Sequence, residues 1–378
     1  MKFRIKKILL IYNNSLQGGN KMVTKWYNPL HDCEDFGVHY IPADYDVNVV
    51  SRFSPSMIKC MQTTEKYVDI PEEILHYYMK YRETPLRRMR DWEEKIGTLN
   101  PIFIKDETDN CLGSYKMNTA FAHAYFAKKD GFEGIVGETL AGHWGLALAF
   151  ACQRFGLKCV IVIHESFFEK KENYIHLIDE LGASVVECTQ KGDPLATSRT
   201  MALKIAEDRQ WAYAVGCSFP HVLGHQSVVG MELIEQTDRM GISIQNIVAC
   251  CGSGSNLGGI SLPVIAEYEK RGKNLRIFAG VRNRNEEEIK LEAKGLTGHN
   301  LSKVILNQVN QGRIELNEVS VEEAKEANRE FFLCEGYLLA PETGYAIATA
   351  RKLALQHLIP EGENIIINLS GRAYWEHH

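Results

Sequence analysis

The sequence predicts an α/β fold in which parallel sheets are covered by helices on both faces. Three observations carry that expectation. From about Ile70 onward, short apolar or β-branched runs alternate with helical patterns, the signature of strand–helix–strand units. Small-residue turns follow several of these runs, where open α/β sheets collect their ligands. At 378 residues the chain is long enough for two domains or one large unit with a substantial core.

Taken in order, residues up to about Val68 are polar and aromatic-rich with weak periodicity, which reads as an extension wrapping a surface or a partner. Within it, Met1–Tyr12 has a basic start and an apolar run. That run is too short for a signal peptide and lacks a small-residue cleavage site, so it reads as an edge strand or mobile tail. Pro71 opens a helix through Tyr81, and Thr84-Pro85-Leu86 enters a loop. Strands are predicted over Ile102–Ile104, Ile135–Val136, Cys159–Ile163, Ser184–Val186, Ile247–Cys250, Arg276–Val281 and Asn364–Asn368. Helices are predicted over Leu146–Phe155, Asn173–Leu181, Asp193–Arg209, Val228–Met240 and Val321–Cys334. The charge cluster from Asn283 to Lys290 reads as a solvated helix start.

Composition excludes several classes of function. Lys plus Arg number 43 against 48 Asp plus Glu, a net charge of -5 with no concentrated basic patch, so nucleic acid is not an expected partner. No segment has the apolar length needed to span a bilayer. Ten cysteines lie scattered without CxxC pairs or metal-ligand spacing, which fits reduced thiols in a cytoplasmic protein and no metal site. His221 and His225 are four apart but lack an HExxH context.

Four motifs carry chemistry, each after a predicted strand. In Gly113-Ser114-Tyr115-Lys116-Met117-Asn118 a lysine follows a Gly-Ser turn and opens an Ala-rich helix; fixed there, it can hold a carbonyl cofactor as a Schiff base. Gly252-Ser253-Gly254-Ser255-Asn256 suits a phosphate monoester, because small residues let backbone N–H groups approach the anion and the next helix offers its positive end. The other two are Gly137-Glu138-Thr139-Leu140-Ala141-Gly142-His143-Trp144-Gly145 and Asn368-Leu369-Ser370-Gly371-Arg372.

Together, and in this order, the motifs resemble the fold-type-II pyridoxal-phosphate enzymes, most closely the tryptophan synthase β subunit in its second, often stand-alone class. The likeness runs from about Tyr81 to Arg372, with further points at Lys25-Trp26-Tyr27-Asn28 and from His221 to Glu232. It implies two three-layer domains with mostly parallel sheets and the cofactor in the cleft between them. The division it suggests is an extension over 1–80, a smaller mobile domain over 115–228, and a larger cofactor-binding domain from 81–114 and 229–378. The resemblance implies pyridoxal 5'-phosphate, leaves room for a monovalent cation, and points to a homodimer with an α-type partner left open.

Site roles follow from the same likeness. Lys116 is the expected Schiff-base lysine and Glu138 the acid–base residue beside the β-carbon. Gly252, Ser253, Gly254, Ser255 and Asn256 would hold the phosphate, Ser370 the pyridine nitrogen, and Glu342 a place near the cofactor ring. Thr139, Leu140, Ala141, Gly142, His143 and Trp144 would bind the amino-acid carboxylate. Three positions depart from the family pattern: Tyr115 stands for a phosphate-touching histidine, Leu140 for a glycine and His143 for a glutamine. Only about forty residues separate Val281 from Val321, where the family carries a longer insertion at the site entrance. The implied reaction is β-elimination or β-replacement on serine or a relative through an aminoacrylate, with an unidentified nucleophile. A serine/threonine dehydratase-type deaminase and a non-catalytic cofactor-binding relative are the alternatives.

Overall fold

A computed structural model describes residues 22–31, 47–168, 172–283, 293–296 and 300–373. The tail expected over residues 1–12 and the cluster over 284–290 lie outside them.

The described N-terminal segment folds onto its own chain. Strand β1 (Lys25–Tyr27) pairs antiparallel with β2 (Tyr67–Asp69), with helix α1 (Pro55–Met61) between them and α2 (Glu72–Tyr81) after. Trp26, Phe53 and Met57 are buried, which gives the aromatic richness of this stretch its structural reason. The chain then forms β3 (Leu86–Arg88) and β4 (Ile102–Asp106). Here the structure corrects the sequence reading: Leu86 opens an antiparallel edge strand against β4, not a loop.

A four-stranded sheet follows, built from α3 (Met117–Lys129), β5 (Gly134–Glu138), α4 (His143–Phe155), β6 (Lys158–His164), α5 (Glu172–Glu180), β7 (Ser184–Cys188), α6 (Pro194–Arg209) and β8 (Ala212–Tyr213). Its order is β7-β6-β5-β8, all parallel. Helices α7 (Pro220–Gln226) and α8 (Val228–Met240) lead back to a six-stranded sheet. That sheet adds β9 (Asn246–Cys250), α9 (Ser255–Lys270), β10 (Arg276–Arg282), α10 (Lys303–Asn310), β11 (Glu315–Val319), α11 (Val321–Glu335), α12 (Pro341–Leu355) and β12 (Ile365–Leu369). Its order is β11-β10-β9-β12-β4-β3, parallel except at β3.

Both faces of the larger sheet are buried, as helices on either side require. Ile247, Ala249, Phe103 and Ile366 point into the core shared with α9 and the smaller sheet. Their neighbours Val248, Cys250, Ile104, Ile365 and Ile367 point to a second core under α12 and α11. The described cysteines are free thiols. Among the described residues no helix is long and apolar enough to cross a membrane.

Two buried polar clusters went unforeseen. Arg82 donates to Glu107 and Glu232 at 2.8 and 2.6 Å, and Lys105 donates to Glu232 at 2.8 Å, tying the β4 end to α8. His221 and His225 join His123 in a cluster beneath Trp26 and Phe53. Burial depresses all three imidazoles, that of His123 to about 3.

Candidate active site

The C-terminal ends of the parallel strands open onto one cavity of about 400 Å³. Strands β4 and β12 run side by side, so the loops after them meet: Ser114 pairs with Gly371, and the Tyr115 N–H donates to the Ser370 carbonyl at 3.2 Å. The turn that carries Lys116 is thereby stitched to the segment that carries Ser370. Lys116 is the residue before α3; its Nζ donates to the Gly216 carbonyl at 2.6 Å and lies 4.7 Å from the Tyr115 ring. Burial works against its charge, but Tyr115 and Cys217 outweigh that and hold it above the ordinary lysine value.

The turn after β9 has the shape of an anion cradle. Gly254 sits at φ 104° immediately before α9, and a Cβ there would press on Ile305; a Cβ on Gly252 would meet the Gly295 carbonyl at 2.7 Å. Backbone N–H groups of Ser255 and Asn256 begin the helix, where intrahelical acceptors are missing. Tyr115 and Ser255 share a hydroxyl hydrogen bond at 3.0 Å. The Tyr115 hydroxyl therefore faces the turn after β9. Asn256 is fixed by donating to the Cys250 carbonyl and by accepting from Asn368 Nδ2 at 2.8 Å.

Ser370 is buried at the cavity wall and shares a hydrogen bond with Thr343 at 2.9 Å. The thiol of Cys250 contacts it too, and burial pushes that thiol up to about 12, so a neutral group faces the serine. Glu342, in the first turn of α12, accepts from the Gly295 N–H at 2.8 Å while lining the cavity. It thus serves the helix end and borders the site at once.

On the opposite wall β5 ends at Glu138, whose two oxygens are both engaged. Oε1 accepts from Arg199 Nε at 3.2 Å and Oε2 from the Tyr213 hydroxyl at 2.7 Å. Burial opposes the Arg199 charge, but Glu138 outweighs it and holds the guanidinium above the ordinary arginine value. Thr139 Oγ1 accepts from the Gly142 N–H at 3.2 Å, closing the loop before α4, which starts at His143 and not near Leu146. Thr139, Leu140, Ala141, His143 and Trp144 line the cavity. Gly142 does not; it stands behind them at φ 91°, where a Cβ would run into the Tyr174 ring. His143 Nε2 donates to the Arg372 carbonyl at 2.8 Å, joining the two walls.

Sequence reasoning missed Arg199, Tyr213, Gly216, Cys217 and Lys294, all of which touch this cavity or Glu138. Gly216 follows a strand as the recognised motifs do; that signal was available in Tyr213-Ala214-Val215-Gly216. Arg199 gave none, being one polar residue inside a helix of mixed character.

A buried lysine, a glycine-lined turn at a helix start and a serine hydroxyl lining the cavity between two α/β sheets fit a fold-type-II pyridoxal-phosphate enzyme. Residues 78–371 match the family described as pyridoxal-phosphate dependent enzyme, and the chain belongs to it. It is 32% identical to a tryptophan synthase beta chain of Fervidobacterium nodosum, over 82% of this chain and 84% of that one. A tryptophan synthase beta chain 2 of Methanosarcina acetivorans is 28% identical, over 98% and 96% of the two chains. The fold is similar to that of the processed form of threonine deaminase isoform 2 from Solanum lycopersicum, with a TM-score of 0.64 at 19% identity, covering 81% of this chain and 91% of that one. A pyridoxal 5'-phosphate-dependent aspartate racemase gives 0.66 at 19% identity, covering 80% and 95%. The cofactor is pyridoxal 5'-phosphate and the enzyme class is a lyase. The cavity fits that group: it offers an amine for the aldehyde, a glycine-lined cradle for the phosphate and a neutral hydroxyl for the ring nitrogen.

Proposed function

We propose that this chain catalyses β-elimination followed by β-replacement on serine or a related β-substituted amino acid. The observation that carries the reading is the convergence of Lys116, the Ser253–Asn256 turn, Ser370 and Glu138 on one cavity. When bound, pyridoxal phosphate supplies an electron sink for the substrate's α-carbon. Ser370 offers its ring nitrogen a hydroxyl and no full charge, which favours prompt loss of a β-substituent over a long-lived α-carbanion. Lys116 takes the α-proton and returns it. The loop from Thr139 to Trp144 holds the α-carboxylate, and its closure by Thr139 keeps the backbone donors in place. Glu138, carrying the proton taken from the nucleophile of the preceding turnover, gives it to the departing β-oxygen as the Cβ–O bond breaks, so that water leaves. Its carboxylate then takes the proton of the incoming nucleophile as the new bond to Cβ forms.

Tryptophan formation is not carried over from the relatives' names. The stretch between Val281 and Val321 is short, and a charged Arg199 borders the space beside Glu138. A deaminase, which needs no nucleophile, is the second reading, supported by the neighbouring threonine deaminase fold alone. Borohydride reduction of the yellow holoenzyme and peptide mass mapping should place the cofactor on Lys116, and serine with a thiol should yield the β-substituted amino acid. A label on another lysine, or pyruvate and ammonia as sole products, overturns the proposal.

A further inference from the structure

We infer that Arg199 builds an anion subsite at the β-carbon end of the cavity, so that the group entering or leaving there carries a carboxylate or phosphate. The inference rests on the β-replacement reading and names its substrate class. Arg199 lies two turns into α6 and lines the cavity, with its side chain 33% exposed while that of Glu138 is 5% exposed. A guanidinium has five N–H donors. Nε serves Glu138, and the hydroxyl of Tyr213 also touches the group. Among the described residues no second carboxylate lies within ion-pair distance of it. The terminal N–H groups, which Glu138 does not engage, have the fork geometry that matches a planar or tetrahedral oxyanion.

Position decides which part of the substrate it meets. The α-carboxylate has the loop from Thr139 to Trp144, and the cofactor phosphate has the turn after β9. Arg199 touches neither; it is bonded to Glu138, which in the proposed reaction stands at Cβ. The lining carboxylate nearest in sequence, Asp193, caps α6 by accepting from the Ala196 N–H at 2.8 Å. An apolar nucleophile pressed on this wall would strip water from charged N–H groups without replacing their acceptors.

The shared chemistry has two sources, an incoming nucleophile or a leaving group, and paired substrates separate them. Holoenzyme with serine should convert mercaptoacetate with a kcat/KM about ten- to hundredfold above that for 2-mercaptoethanol, the range of one charge-assisted hydrogen bond or pair. A leaving-group source predicts the same margin for O-phosphoserine over serine, with one neutral thiol as nucleophile. Arg199→Gln should lower kcat for both partners, because Glu138 loses a donor, and in addition raise KM for the anionic partner and erase the preference; Arg199→Lys should keep part of that preference. If Arg199 only orients Glu138, kcat falls equally for both partners while the preference for the anionic one is kept, and the inference fails. It fails too if the parent enzyme shows no preference in either pair. Calorimetric titration with glycolate reads the subsite without turnover: binding weakened by Arg199→Gln supports it, and equal binding overturns it. Absence of any product from serine with every thiol defeats the β-replacement reading instead, and the glycolate result then stands alone.

Discussion

Glu138 is held by two donors that come from far along the chain, Arg199 on α6 and Tyr213 on β8. Held this way, the carboxyl has one orientation toward the cavity, which a proton carrier at Cβ needs. Glu138→Gln keeps the shape and removes the proton. With serine the variant should bind cofactor normally but lose on the order of two or more powers of ten in turnover. A β-chloro amino acid, whose leaving group needs no proton, should still eliminate. Stopped-flow spectra of both substrates check this; turnover of serine at the parent rate would remove Glu138 from the acid role. At this scale the sequence disclosed the groups whose signal is local. Gly252 and Ser370 follow a strand within a few residues, Lys116 opens the helix after β4, and each announces itself by small neighbours. The partners of Glu138 stand 61 and 75 positions away in sequence, and no spacing rule reaches them.

The elements were legible where they are buried on both faces. Strands β9 and β12 are buried throughout and apolar except at Asn246 and Asn368, so periodicity and composition agree. Strand β11 is exposed at three of its five residues and shows no apolar run, whereas β8 is buried but only two residues long. Both lie at sheet edges, and at β11 burial does not dictate sequence. The turn between β9 and α9 is the opposite case, since its geometry permits little but glycine. Gly254→Val would place a β-branched residue at φ 104° with its Cβ on Ile305, a strain of about 1–3 kcal/mol. The backbone must shift, and with it the N–H groups at the start of α9. Pyridoxal-phosphate affinity, followed by fluorescence titration, should fall by about tenfold or more for a displacement costing about 1.4 kcal/mol or more. Unchanged affinity would show that this turn does not hold the phosphate.

Across the whole molecule the buried charges around Arg82 are the device that ties the segment after α2 to β4 and α8, behind the cavity. Arg82 is 9% exposed, and Glu107, Lys105 and Glu232 are buried with it. Burial by itself would raise the Glu107 carboxyl, but Arg82 prevails, helped by Lys105 and the Thr84 hydroxyl, and lowers it to about 2. Glu232 is lowered by the same two cations, against the same burial. The folded-state value of Glu107 lies below its ordinary 4.5. Its contribution to stability is therefore fully present above about pH 4.5 and is lost as pH falls from there through about 2, because the unfolded chain binds the proton first. Glu107→Gln cannot titrate and leaves Arg82 with one carboxylate fewer in a buried place, a loss of about 3–5 kcal/mol at neutral pH. Urea midpoints measured from pH 7 down to 2 should therefore start lower in the variant and fall less steeply below 4.5, with Glu232 supplying the slope that remains. Equal midpoints at neutral pH, or parallel curves through the acid range, would mean that Glu107 is not the charge that holds Arg82 in place.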